Sequence, residues 1–165
     1  MTAEKPQKLN IYTFLATLCG IGFIPVMPGT FGSLLAYGIY MLFSGSPFQG
    51  KALFYALPAL IVLCLIAVFL STKAEKTLGR DSGSIVIDEF CGYYVSVLCL
   101  PHSWLIGLYA FVLFRVFDIA KPFPIKKVQE LPSGWGVVTD DIIAGIYTNI
   151  LIQILTKIYP KFFGL

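Results

Sequence analysis

Hydrophobic positions fall in long blocks along this chain, with no alternation of the kind a half-buried strand requires. Residues 52–70 form nineteen consecutive positions without a charge or an amide, close to the about 20 residues that carry a helix across a hydrocarbon layer. Pro58 lies inside that block and predicts a kink. Further apolar segments occupy residues 11–24, 31–43, 85–100, 104–117 and 142–158, several of them short for a complete crossing. At best four fuller spans result. The β-branched run 85–87 is brief and passes into an apolar segment, so it is read as helix. The long polar stretches 71–84 and 121–140 read as connections. The pattern predicts an all-α protein, a single-domain multi-helix membrane bundle comprising the whole chain.

Composition sharpens that picture. Of the 165 residues, 57% are hydrophobic and only 13% charged, with mean hydropathy +0.80, against about 25% charged in an average soluble domain. Disorder is excluded, and a soluble, unusually apolar helical bundle is the alternative to a membrane protein. Aromatic residues make up 15% of the chain, and Tyr55, Trp104, Tyr109, Trp135 and Tyr159 are candidates for interfacial belts. Lys73, Lys76 and Arg80 follow the 52–70 block, which favours the cytoplasmic side for that end. With 71–84 and 121–140 both cytoplasmic, the segment 85–117 goes in and out as a hairpin, and 11–24 is a re-entrant or half helix. Residues 1–9 place Lys5 and Lys8 before an apolar run without a small-residue cleavage site, and read as a retained terminus. A net charge of +3 from scattered cations offers no basic stripe for nucleic acid. Cys19, Cys64, Cys91 and Cys99 lack metal-ligand spacing and read as small apolar packers.

Charge is scarce, so its placement is informative. Five of the nine carboxylates fall in three places beside apolar segments: Asp88 with Glu89, Asp118, and Asp140 with Asp141. A carboxylate at such a position costs about 2.5 kcal/mol or more unless it is paired or metal-bound. If 85–100 and 104–117 form a hairpin turning at residues 101–103, Asp88 lies opposite Arg115, and Asp118 one turn beyond. Helices packed about 8–10 Å apart then let Asp88, Glu89 and Asp118 converge. Asp140 and Asp141 return at the start of the last helix, where they also fit plain caps. Asp88 and Asp118 equally fit simple partners of Arg115, and Glu89 a solvated interfacial charge. Oxygen-only ligands suit Mg²⁺. Arg115, Lys121, Lys126 and Lys127 flank Asp118, and the loop Gly29, Thr30, Gly32 and Ser33 opens an apolar helix whose N–H groups and hydroxyls suit an anion. The same loop also fits an ordinary turn. His102, the only histidine, sits at the hairpin tip and reads as a solvated turn residue. A histidine-nucleophile phosphatase with a second histidine acid is therefore excluded, and neither a cysteine-phosphatase nor an Asp-x-Asp motif is present.

Four ordered stretches, GFIPVMPGTFGS at 22–33, DSGSIVIDEF at 81–90, FRVFDIAKPFPI at 114–125 and GWGVVTDDIIAG at 134–145, together resemble the phosphatidylglycerophosphatase A family. The resemblance implies an all-helical enzyme of the bacterial cytoplasmic membrane with its site facing the cytoplasm. It further implies Mg²⁺-dependent hydrolysis of phosphatidylglycerophosphate to phosphatidylglycerol and inorganic phosphate, and carries over Thr30, Asp88, Glu89, Arg115, Asp118, Lys121, Asp140 and Asp141. On this reading Asp88, Glu89, Asp118, Asp140 and Asp141 hold one or two Mg²⁺ ions. Gly29, Thr30, Gly32, Ser33, Arg115 and Lys121 bind the phosphate, and Asp88, Asp118, Lys121 and Asp141 are catalytic. Direct attack by water and an aspartyl-phosphate intermediate both remain open, as does oligomeric state. The competing readings are a small cation channel or transporter lined by the carboxylates, and a scaffold in which the charges only pair helices.

Overall fold

A computed structural model describes residues 10–43 and 50–164; the 1–9 terminus, with Lys5 and Lys8, lies outside the described residues. Among the described residues the regular structure is helical throughout, as the blocks of apolar residues predict. The 11–24 segment is interrupted. Asn10 caps α1 (Ile11–Ala16) by accepting from the Thr13 N–H while the Thr13 hydroxyl occupies the Asn10 N–H. Left-handed backbone at Leu18, Cys19 and Gly20 then ends it before a 3-10 turn at Ile21–Phe23. At six residues α1 is a half helix, about 9 Å long.

α2 (Pro28–Met41) starts on proline, whose missing N–H costs nothing at a helix start. α3 (Leu53–Leu78) runs unbroken through Pro58 and on past the expected end, so Lys73 and Lys76 belong to the helix and not to a connection. α4 (Ile87–Ser96) has only 10 residues, about 15 Å. That corrects the expected helix over 85–100, because residues 97–103 leave helical geometry, with Cys99 left-handed. α5 (Trp104–Ala120) is capped by the Ser103 hydroxyl, which accepts from the Leu105 N–H. The polar 121–140 stretch is no simple connection either: it contains α6 (Ile125–Val128) and the first turns of α7 (Gly134–Ile158).

α4 is the central element. It packs chiefly against α7, with α2 and α3 on its other sides. Gly92 of α4 and Gly145 of α7 make this crossing possible: a methyl group on Gly145 would collide with the Gly92 carbonyl, and one on Gly92 with the Asp141 carbonyl. One apolar core gathers Tyr40, Tyr93, Ile106, Phe114 and Ile152. A second joins Ala16, Val68, Ile85, Cys91 and Val138 below α1 and α3.

Two further expectations are corrected. His102 is half-buried, not solvated: its ring lies 4.4 Å from that of Tyr40, with Nε2 3.0 Å from the Tyr40 carbonyl, because the 97–103 turn folds back on α2. Of the four cysteines only Cys91 is buried and Cys64 half-buried, whereas Cys19 and Cys99 are exposed on left-handed turns. Tyr55, Trp104, Trp135 and Tyr159 are exposed as expected of belt residues, and Tyr109 instead packs edge-on against Phe162 and Phe163.

The outer surface is apolar in stripes at helical spacing. α3 exposes Ile61, Leu65 and Phe69; α5 exposes Leu108, Val112, Val116 and Ile119; α7 exposes Ile146, Ile150, Ile154 and Ile158. α3 and α7 are both long and apolar enough to cross a membrane, and most of the apolar window of α3 faces outward.

Candidate active site

Asp88 and Glu89 occupy the first turn of α4, where acidic groups complement the positive end of the helix. The turn is fixed from outside: the Val86 N–H donates to the Ala16 carbonyl at 3.0 Å. Across the Gly92–Gly145 crossing stands Asp141. It lies in the second turn of α7, since Gly134 starts that helix against Val68 and Thr72 of α3. Asp140 and Asp141 are therefore not the caps the sequence suggested.

Asp88, Glu89 and Asp141 each offer a carboxylate oxygen, all within 4.8 Å of one another. Asp88 is 7% exposed and Asp141 2%. Burial, then the neighbouring charge of Glu89, raises the Asp88 carboxyl well above its ordinary range; burial pushes Glu89 up to about 7, against the hydrogen bond from Asp88 that lowers it. Asp88 Oδ1, Glu89 Oε2 and Asp141 Oδ2 are all buried with no hydrogen-bond partner. Three carboxylates that converge, each with a buried oxygen lacking a partner, are what a hard divalent cation would satisfy, so the residues fit a bound ion.

The other two expected ligands behave differently. Asp118 Oδ2 lies 2.7 Å from Arg115 Nη1, one turn away on α5. Lys121 Nζ donates to Asp140 Oδ2 at 2.6 Å, and Asp140 Oδ1 accepts from the Asp141 N–H at 3.0 Å. Burial alone would lower the Lys121 ammonium, and the Asp140 carboxylate overrides it, holding the pKa above its ordinary value. Arg115 also stands 3.7 Å from Glu89, close to the depth that the hairpin geometry predicted. All five carboxylates share one cavity of about 280 Å³ with Lys121, but three are gathered and two are held by cations.

The Gly29 loop splits in the same way. A methyl group on Gly29 would overlap the Glu89 carboxylate and touch Arg115, so the glycine brings α2 against the site. The Thr30 hydroxyl is buried without a partner. Ser33 is fully buried and donates to the Gly29 carbonyl at 2.9 Å, and Gly32 packs on Val86; neither faces the cavity. Lys126 and Lys127 are exposed on α6 and do not line it. Sequence reasoning missed Asp81 and Gln129, which meet in a 2.7 Å hydrogen bond at the cavity wall. Asp81 opens the second resembling stretch, but an exposed loop aspartate carries no period or burial signal by itself.

Fold and site together define a helical chain with two bilayer-length helices and an acidic, cation-flanked cavity at one end of them. The chain belongs to the phosphatidylglycerophosphatase A family, whose sequence pattern matches residues 14–156. It is 34% identical over 154 residues to phosphatidylglycerophosphatase A of Escherichia coli K12, covering 92% of this chain and 87% of that protein. It is 39% identical over 161 residues to the protein of the same name from Haemophilus influenzae, covering 92% and 95%. A Bacteroides thetaiotaomicron protein, provisionally named a phosphatidylinositol-3-phosphatase, is 38% identical over 157 residues, covering 92% and 96%. No solved structure gives a significant match.

Proposed function

We propose that this protein hydrolyses phosphatidylglycerophosphate to phosphatidylglycerol and inorganic phosphate, as one helical domain, with Mg²⁺ held by Asp88, Glu89 and Asp141. The observation that carries the site assignment is the trio of buried, unpartnered carboxylate oxygens. The family and the names of two relatives carry the substrate. A bound divalent ion supplies charge stabilisation at the phosphoryl oxygens and a more acidic water.

The chain's own groups account for binding and orientation. Lys121 lines the cavity and faces the phosphomonoester, steadied by Asp140, while Arg115 stands behind the cavity wall and steadies Asp118 and Glu89. The Thr30 hydroxyl is buried without a partner and lies outside the cavity lining, so it makes no contact with the substrate. Water attacks phosphorus, the bond from phosphorus to the glycerol oxygen breaks, and that oxygen takes up a proton. One carboxylate of the cavity accepts the proton lost by water.

Membrane placement follows the same reading. α3 and α7 cross, with the Lys73, Lys76 and Arg80 end in the cytoplasm; α4 is too short for a layer of about 30 Å, so α4 and α5 dip in from the cytoplasmic side. The substrate's acyl chains stay in the bilayer while its headgroup enters the cavity. The test is phosphate release from phosphatidylglycerophosphate by detergent-purified protein, with and without Mg²⁺ and beside phosphatidylinositol 3-phosphate. Mg²⁺-dependent release favouring the first lipid is expected, and no release from folded protein overturns the reading. Label from ¹⁸O-water entering an aspartate side chain would replace direct attack by an aspartyl-phosphate intermediate.

A further inference from the structure

Away from the carboxylate cavity, the seam between α3 and the start of α7 holds two further hollows in succession. The lower is a crevice of about 270 Å³ with apolar walls, formed by Leu57, Ile61, Leu65 and Val68 of α3 facing Trp135 and Ile142 of α7, with Leu98 beyond α4 behind them. The upper is an open cleft of about 500 Å³, where Lys76 and Arg80 meet Glu75 and Glu130, with Thr72 and Ser133 between. Positions 57, 61, 65, 68, 72 and 76 succeed one another at intervals of three and four, so one face of α3 serves both hollows. Gly134 packs on Val68 and Thr72 where they adjoin. Trp135 and Thr139 line the crevice whereas Asp140 and Asp141 line the catalytic cavity, which puts α7 between the two sites.

This order of polarity is that of a phospholipid, with charge above and hydrocarbon below. Among the described residues neither Lys76 nor Arg80 makes an ion pair. Two cations facing two carboxylates also carry no net charge, so the cleft suits a headgroup with both signs better than an anionic one. We propose that the α3–α7 seam is a second lipid site that binds a zwitterionic aminophospholipid. Its phosphate lies on Lys76 and Arg80, its ammonium on Glu75 and Glu130, and one acyl chain fills the crevice below. The site rests on the membrane placement above but not on phosphatase turnover, so each can fail without the other.

Trp135 is a built-in reporter, and Trp104 is the other tryptophan of the chain. The experiment uses Trp104→Phe and Trp135→Phe proteins in detergent, titrated with phosphatidylethanolamine brominated on its acyl chains. Saturable quenching of Trp135 at about one lipid per chain is expected, whereas Trp104, exposed on the surface, should show only quenching that grows with the bulk lipid-to-detergent ratio without saturating. The same titration with brominated phosphatidylglycerol should require at least several-fold more lipid. Lys76→Glu with Arg80→Glu, on the Trp104→Phe background, should remove the saturable phase while circular dichroism and phosphate release stay unchanged. A saturable phase of equal size and midpoint for both tryptophans, equal response to the two lipids, or a saturable phase indifferent to the charge reversal overturns the proposal. A change from dimer to monomer in the charge-reversed protein would do so as well, by giving the seam to a second copy of the chain.

Discussion

Two groups of carboxylates share one cavity and are stabilised in opposite ways. Asp118 and Asp140 each touch a cation, Arg115 at 2.7 Å and Lys121 at 2.6 Å. Asp88, Glu89 and Asp141 touch chiefly one another, and each keeps a buried oxygen without a partner. The paired group resembles an ordinary structural ion pair, whose charge is compensated within the chain. The gathered group has only the more distant Arg115, 3.7 Å from Glu89, to offset its charge, and a fold keeps such a cluster only at a net cost. On the proposed function, the contrast separates residues that position substrate from residues that need a ligand of their own.

The sharpest way to break this comparison is to neutralise one member of each group. Asp141→Asn should lower phosphate release on the order of 10³-fold, the equivalent of about 4 kcal/mol of lost charge stabilisation. The metal-free protein should unfold at the same or a higher temperature, because a repulsive buried charge has been removed. Asp118→Asn keeps an acceptor beside Arg115 and should cost activity only about 10–100-fold. Equal effects of the two substitutions in a phosphate-release assay would erase the distinction.

Lys121→Met exposes the other side of the comparison. It strands the Asp140 carboxylate, and because Lys121 is itself partly exposed the stability loss should be about 2 kcal/mol, read as a lower unfolding midpoint, together with a raised KM. Arg115→Lys is milder still: charge survives but the planar fork does not, and KM should rise by about tenfold.

pH sharpens the comparison through Glu89. Its folded pKa of about 7 lies above the ordinary 4.5, so between those values the folded protein binds more protons than the unfolded chain. Stability of the metal-free protein should therefore be greatest below about 4.5 as far as this group is concerned, and decline as pH rises through 7. Stabilisation by added Mg²⁺ should run the other way, shrinking as pH falls below 7, because protons compete for the same oxygens. Melting curves between pH 5 and 8 with and without Mg²⁺ check both signs.

How far the sequence could be read follows from what each feature depends on. The helical class, the long apolar α3 and the depth of Arg115 beside the start of α4 were legible, since they rest on hydropathy and rise per residue, but the partner there is Glu89 and not the expected Asp88. The half helix near residue 11 was legible from its length. The true start of α7 was not: Gly-Trp-Gly reads as a loop until Gly134 is seen packed against Val68 and Thr72. That misplacement left helix caps open as an alternative for Asp140 and Asp141, beside their reading as metal ligands. All five carboxylates were found from their apolar surroundings, but their division into two groups depends on which cation reaches which oxygen, and spacing along a chain does not encode it. Ser33 illustrates the same limit, its hydroxyl being committed to the Gly29 carbonyl by the helix that it helps to start.

The most direct test is equilibrium binding of Mn²⁺, as a spectroscopic substitute for Mg²⁺, followed by electron paramagnetic resonance on the detergent-purified protein. The account predicts a saturable Mn²⁺ site that Mg²⁺ displaces, lost in Asp141→Asn and in Asp88→Asn and retained in Asp118→Asn. Saturable binding that survives Asp141→Asn, or that vanishes only with Asp118→Asn, would contradict it.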